Sequence, residues 1–169
     1  MRYFLIVALI WVGLTYVAEA GAGLRLSAGV GLGVLELRDL KDVWGVTEDV
    51  ARLLQGVADF SPSAGLGARL TGEFGLLEGQ GLSKFELSLL LCVPLRGAQA
   101  YFGGGTGILN FGGHLYPVLH LVGGLKGDVF DILIIFLDAK LIGVLELGDG
   151  PLFLSNPLLQ LSPGVMIYF

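Results

Sequence analysis

Cysteine is almost absent from this chain: Cys92 is the only one in 169 residues, so no intramolecular disulfide can form. With no Cys or His partners at ligand spacing it makes no zinc site either, and it reads as a small packing residue. Charge is scarce as well. Charged residues make up 15%, the net charge is −5, and no cluster of Lys and Arg stands ready to neutralise phosphates, which excludes a nucleic-acid partner. Beyond residue 20 the sequence also lacks any apolar run of the roughly 18 residues that a membrane-spanning helix needs. Yet hydrophobic residues are 54% of the chain and the mean hydropathy is +0.78, too apolar for an ordinary soluble surface. Glycine is plentiful, at 28 residues scattered through the apolar segments, where each would weaken a helix by roughly 1 kcal/mol relative to Ala. Strands that meet lipid satisfy all of these conditions.

The first twenty residues differ from the rest. Arg2 is followed by an apolar core from Tyr3 to Val17 and then by Ala18-Glu19-Ala20, the charged, apolar and small-x-small regions of a secretory signal peptide. Residues 1–20 are therefore expected to be removed, leaving residues 21–169 as one domain. No cysteine follows the cleavage site, which excludes a lipoprotein.

From Leu24 onward the period is two. Leu24, Leu26, Ala28, Val30, Leu32 and Val34 alternate with Arg25, Ser27, Gly29, Gly31 and Gly33. Leu66, Ala68, Leu70, Phe74 and Leu76 oppose Arg69, Thr71 and Glu73; after the turn-like EGQG at 78–81, Phe85, Leu87, Leu89, Leu91 and Val93 oppose Lys84, Glu86 and Ser88. Segments 98–108, 115–125, 128–144 and 157–169 are the remaining strand candidates, joined through RGAQ, NFGGH, KGD and LGDGPLFLSNP. A soluble β-sandwich alternates too. Length decides for a barrel, because tilted bilayer strands need about 9 to 11 residues whereas soluble strands have a mode of about 5 to 6. The polar face also mixes single charges with Gly, Ser and Thr, as suits a narrow lumen.

Residues 46–60 break the alternation. Val46, Val50, Leu53, Leu54 and Val57 fall at helical spacing, with Thr47 as N-cap and Glu48 and Asp49 at the positive end, so a short amphipathic helix is expected near residues 47–58. Seven strands are then legible, whereas a barrel with both termini on one side needs an even number. Eight is the expected count, the missing strand lying either at Leu35 to Trp44 or in place of part of the helix.

The chain ends in Phe169, with Ile167, Val165 and Leu161 on the same strand face. This resembles the assembly signal of bacterial outer-membrane proteins, although Pro163 departs from the alternating pattern and Tyr168 sits one place off the usual aromatic. The stretch PLRGAQAYFGGGTGI is similar to a mid-barrel strand of small OmpA-like barrels. The resemblance implies a closed antiparallel up-and-down barrel of eight strands in the bacterial outer membrane. Its implied partners are outer-membrane lipid and the barrel-assembly machinery, which would read Phe169, Ile167 and Val165; the expected state is a monomer.

Chemistry is harder to find. A lipid A deacylase barrel would imply a His and a Ser two residues apart with an acidic partner, but His114 and His120 are followed by Leu115-Tyr116 and Leu121-Val122. Both histidines then read as solvated or interfacial residues. The triple glycine at 103–105 has no Lys-Ser/Thr after it, so it marks close packing rather than a phosphate loop. Alternation assigns Arg25, Arg69, Glu73, Lys84, Glu86, Asp138 and Lys140 to the lumen, with Glu73 and Glu86 paired to Arg69 and Lys84. Such a mixture predicts ion pairs in a closed lumen, without catalytic residues, metal or cofactor. The function expected is structural, anchoring or interactive. The alternatives are a conduit or binding barrel for a small apolar molecule or lipid, and a lipid-modifying barrel enzyme.

Overall fold

A computed structural model describes residues 25–37, 44–62, 64–130, 132–145 and 157–169. The expected signal peptide and most of LGDGPLFLSNP lie outside them. Eight strands follow one another: β1 (Arg25–Glu36), β2 (Val50–Ser61), β3 (Gly65–Leu77), β4 (Gln80–Leu95), β5 (Ala98–Phe111), β6 (His114–Phe130), β7 (Leu133–Val144) and β8 (Leu158–Tyr168). Each pairs antiparallel with the next, and β8 returns to β1, closing the barrel. Closure leaves no edge strand, so the wall's backbone groups are satisfied within the sheet.

The expected helix is a strand. Residues 50–61 carry two periodicities at once: Ala51, Leu53, Gln55, Val57 and Asp59 face inward, while Arg52, Leu54, Gly56, Ala58 and Phe60 face outward. An isolated helix of three turns is marginal. A strand here pairs with β1 over Arg25↔Ser61 to Glu36↔Val50 and with β3 over Arg52↔Leu76 to Phe60↔Ala68, two full ladders that a helix would forgo. Of the two places left open for the eighth strand, the second is therefore correct. Thr47 caps no helix; its N–H and Oγ1 both donate to Glu78 Oε1 at 2.5 Å, and the Glu48 N–H does so at 3.2 Å. That carboxylate ties the β1–β2 connection to the β3–β4 turn.

KGD at 126–128 is likewise not a connection. β6 runs through it to Phe130, and β7 begins at Leu133. The other turns fall as the composition implies. Glu78-Gly79 and Gly112-Gly113 all have positive φ, the backbone of a two-residue type I′ hairpin.

The outward faces form an apolar belt. Leu66, Leu70 and Phe74 on β3 and Leu87, Leu89 and Leu91 on β4 are all exposed, with Leu89 at 66%. On β5 the triple glycine lets the wall pack closely: a Cβ on Gly103 would lie 1.9 Å from Leu89 O, and one on Gly105 1.8 Å from Leu87 O. Pro163 explains one gap in the closing seam. The β1–β8 ladder pairs Gly31 with Gly164 and Val34 with Leu161 but skips the two positions between, where proline has no N–H to donate. The register is the same on both sides of the gap, so the terminal strand keeps its phase. Val165, Ile167 and Phe169 project outward, whereas Tyr168 turns to the barrel rim and donates to Asp128 at 3.0 Å.

Candidate functional site: the barrel lumen

The inner faces of β1 and β5 are nearly bare between their ends, with Gly29, Gly31 and Gly33 on one and Gly103, Gly105 and Gly107 on the other. These strands lie opposite each other in the ring. The space they leave is filled by long side chains from the remaining strands, stacked in layers along the axis.

At the end remote from the termini the filling is apolar. Leu35, Leu53, Leu77, Leu82, Leu109 and Ile142 are each at most 2% exposed, and Trp44 from the β1–β2 connection stacks on Phe111 with ring centroids 4.7 Å apart. A polar lumen was expected throughout; this end is instead a hydrophobic plug.

Below it lies a square of charges. Lys84 Nζ is 3.0 Å from Glu73 Oε2 and 3.1 Å from Glu86 Oε1, and Lys140 Nζ is 3.1 Å from Glu73 Oε1 and 2.6 Å from Glu86 Oε2. Each cation thus touches both anions. Gln55 and Gln160 donate to Glu73 at 3.0 and 2.9 Å, and Lys84 donates to Gln160 Oε1 at 2.5 Å. His120 Nε2 and Ser88 Oγ are 2.8 Å apart, with His120 Nδ1 3.7 Å from Glu86 Oε1.

The next layer centres on Arg69. Its Nε and Nη2 donate to Asp59 Oδ2 at 3.1 and 2.5 Å, and its Nη1 donates to both oxygens of Asp138 at 2.9 Å. Tyr101 donates to Asp138 and lies under the guanidinium, 4.5 Å from ring centroid to Cζ. Lys126 donates to Ser61 Oγ at 2.5 Å and sits 3.5 Å from Asp59. Because β3 and β7 are opposite in the ring, the Arg69–Asp138 bond crosses the full lumen. So does Lys84–Gln160, from β4 to β8.

Six of the seven residues assigned to the lumen are there and buried: Arg69, Glu73, Lys84, Glu86, Asp138 and Lys140. Arg25 is not. It stands at the rim with its side chain 55% exposed, 3.9 Å from Asp128 and over the Tyr168 ring, because its cross-strand partner is Ser61, the last residue of β2. The expected Arg69–Glu73 pairing is also replaced. Both point inward from the same strand, but four residues along it amounts to about 13 Å, which puts them in different layers. Three members went unread. Asp59 fell in the segment 46–60 expected to break the alternation, Lys126 in the expected turn, and His120, expected to be solvated or interfacial, is 4% exposed. Strict alternation continued through β2 and β6 would have found all three. With them the buried charges balance, Arg69, Lys84, Lys126 and Lys140 against Asp59, Glu73, Glu86 and Asp138.

Ser88, His120 and Glu86 have the residue types of a nucleophile, base and orienting acid. Ser88 is 1% exposed, however, and the His120–Glu86 separation exceeds hydrogen-bond length. Among the described residues no group of three His, Cys, Asp or Glu side chains is placed to hold a metal ion. Cys92 packs with Leu90, Tyr101 and Val122.

The fold is that of an eight-stranded, closed, antiparallel up-and-down barrel with an apolar exterior, the class to which small outer-membrane barrels belong. Solved structures agree. The chain is similar to a barrel from work on de novo design of transmembrane β-barrels, at 13% identity, TM-score 0.57, covering 86% of this chain and 95% of that one. Neisserial surface protein A is similar at 12% identity and TM-score 0.56, covering 88% and 98%. The N-terminal β-barrel domain of Pseudomonas aeruginosa OprF is similar at 14% and 0.56, covering 85% and 97%. No family model and no curated protein matches the chain.

Proposed function

We propose that this chain is an outer-membrane barrel, delivered by a removable leader at residues 1–20, whose role is structural, anchoring or interactive and whose lumen conducts nothing. The observation that carries the reading is the contrast between wall and interior: an apolar belt outside, and inside a charge network that bonds from wall to wall beneath a hydrophobic plug. Continuous exposed apolar surface of this extent is costly in water and is the face a bilayer covers. An eight-stranded lumen has room only for its own side chains or one small ligand, and here side chains take the space. That supports a closed barrel over a conduit. It also favours a non-enzymatic role, since Ser88 and His120 are buried at 1% and 4% exposure.

Two measurements test the reading. Envelope fractionation with N-terminal sequencing should recover a chain beginning at Gly21 in the outer membrane; intact Met1 in the inner membrane would refute it. Refolded protein in planar bilayers should give no steady large conductance, and such a conductance would promote the conduit alternative.

A further inference from the structure

The lumen is not filled to both ends. Where β1 begins and β8 ends, its mouth holds a cavity of about 280 Å³, near the lower end of the size range of ligand sites. One side of the cavity is charged, with Lys126 and Asp128 from β6 and Arg25 from β1. The other side is apolar, made by Pro62, Pro94, Leu95 and Ala98. Beneath it the Arg69 layer spans the lumen from wall to wall, and the Tyr101 ring of that layer lies 5.9 Å from Lys126 Nζ. The cavity is therefore blind.

Both cations that face it are loosely paired. Arg25 stands 3.9 Å from Asp128, beyond hydrogen-bond reach. Lys126 is 4% exposed, yet the carboxylate oxygen it meets, Asp59 Oδ2, is 3.5 Å away and already accepts from Arg69 at 2.5 and 3.1 Å. Its remaining hydrogen-bond partner among the described residues is the neutral Ser61 Oγ, at 2.5 Å. An ammonium has three donors, so one is left over, and a buried charge short of partners is unfavourable. The two cations also converge, since Ser61, which Lys126 bonds, is the cross-strand partner of Arg25. Two cations and one carboxylate line the cavity, so a single added negative charge neutralises it. A second would meet the repulsion of Asp128.

We propose that this mouth binds a small monocarboxylic acid, its carboxylate between Lys126 and Arg25 and its apolar body against Pro62, Pro94, Leu95 and Ala98. The two oxygens of a carboxylate accept from an ammonium and a guanidinium at once, and such charge-assisted bonds are the strong ones. Size limits the rest of the molecule. At roughly 30 Å³ for each water-sized group the cavity takes about nine non-hydrogen atoms, which suits a free acid better than the end of a peptide. An eight-stranded lumen has room for one small ligand, and this site uses that room without opening a passage through the Arg69 layer.

The test titrates the folded barrel of residues 21–169, in micelles of a non-ionic detergent at neutral pH, with benzoate, benzamide, phenyl phosphate and acetylated trialanine. Binding is read by ligand-observed NMR against empty micelles. Benzoate should bind about tenfold more tightly than the neutral benzamide, the scale of a charge-assisted hydrogen bond, and more tightly than the doubly charged phosphate or the peptide. Lys126→Gln should remove that advantage. Two substitutions of exposed side chains should act in opposite directions: Arg25→Gln weakens benzoate about threefold, and Asp128→Asn strengthens it by a similar factor, because a competing carboxylate is gone. Arg52→Gln, at the far end of β2, should change nothing. The unmutated barrel and the two rim variants decide the matter even if Lys126→Gln fails to fold. Equal binding of benzamide, tighter binding of phenyl phosphate or of the peptide, or weakening by Asp128→Asn would each overturn the proposal.

Discussion

Replacing Arg69 with Met removes one guanidinium from between two carboxylates, Asp59 and Asp138. In the native lumen Arg69 supplies both hydrogen bonds to Asp59 Oδ2 from β3 and both contacts to Asp138 across the barrel. Asp59 keeps Lys126 at 3.5 Å, but the one hydrogen-bond partner that Asp138 keeps among the described residues is the neutral Tyr101. Most of the cost therefore falls on Asp138, which is 0% exposed. Breaking a buried pair by removing one partner costs about 3 to 5 kcal/mol, because the surviving charge has neither solvent nor counter-ion. Neutralising that charge should recover roughly half: Arg69→Met with Asp138→Asn is expected to be more stable than Arg69→Met alone. Arg69→Met with Glu73→Gln should be no better than Arg69→Met alone and is expected to be worse, because Glu73 belongs to the Lys84 and Lys140 square and its loss uncovers those cations. The assay is equilibrium urea unfolding of the barrel of residues 21–169 in lipid vesicles, read by Trp44, the one tryptophan in that stretch, and by heat-modifiable gel mobility. A cost below about 1 kcal/mol for Arg69→Met, or better rescue by Glu73→Gln than by Asp138→Asn, would refute the layered network.

Three further outcomes follow from the wall. Leu89→Arg should cost about 2 to 4 kcal/mol in the same assay whereas Leu89→Phe should cost under about 1, since only the first places a charge in hydrocarbon. Gly103→Ala should destabilise by about 1 to 3 kcal/mol through its clash with Leu89 O, while Gly123→Ala, whose Cβ would lie 3.9 Å from Tyr101 O, should be near neutral; equal melting of the two would show that β4 and β5 do not pack this closely. Deleting Phe169, or replacing Ile167 with Asp, should lower the yield of folded barrel in cells, and normal yields would separate the outward terminal face from assembly.

Much of the architecture is legible one strand at a time. Alternation along 66–76 and 85–93 assigns Leu70 to the outside and Arg69 to the inside without reference to anything else, because a strand's side-chain period is two whatever its neighbours. The paired glycines and Glu78-Gly79 mark their hairpins for an equally local reason, the positive φ that the turns require. Residues 50–61 show the limit of local reading. Their apolar residues satisfy periods of both 3.6 and 2, and only the open edges of β1 and β3, which the segment closes, select the strand. Charge partnership is likewise a tertiary matter. The sequence alone determined that Arg69, Glu73, Lys84, Glu86, Asp138 and Lys140 share one interior; which of them touch depends on stagger and curvature. Those bring Arg69 to Asp138 across the ring, sixty-nine residues away in the chain, and hold it from Glu73 on its own strand.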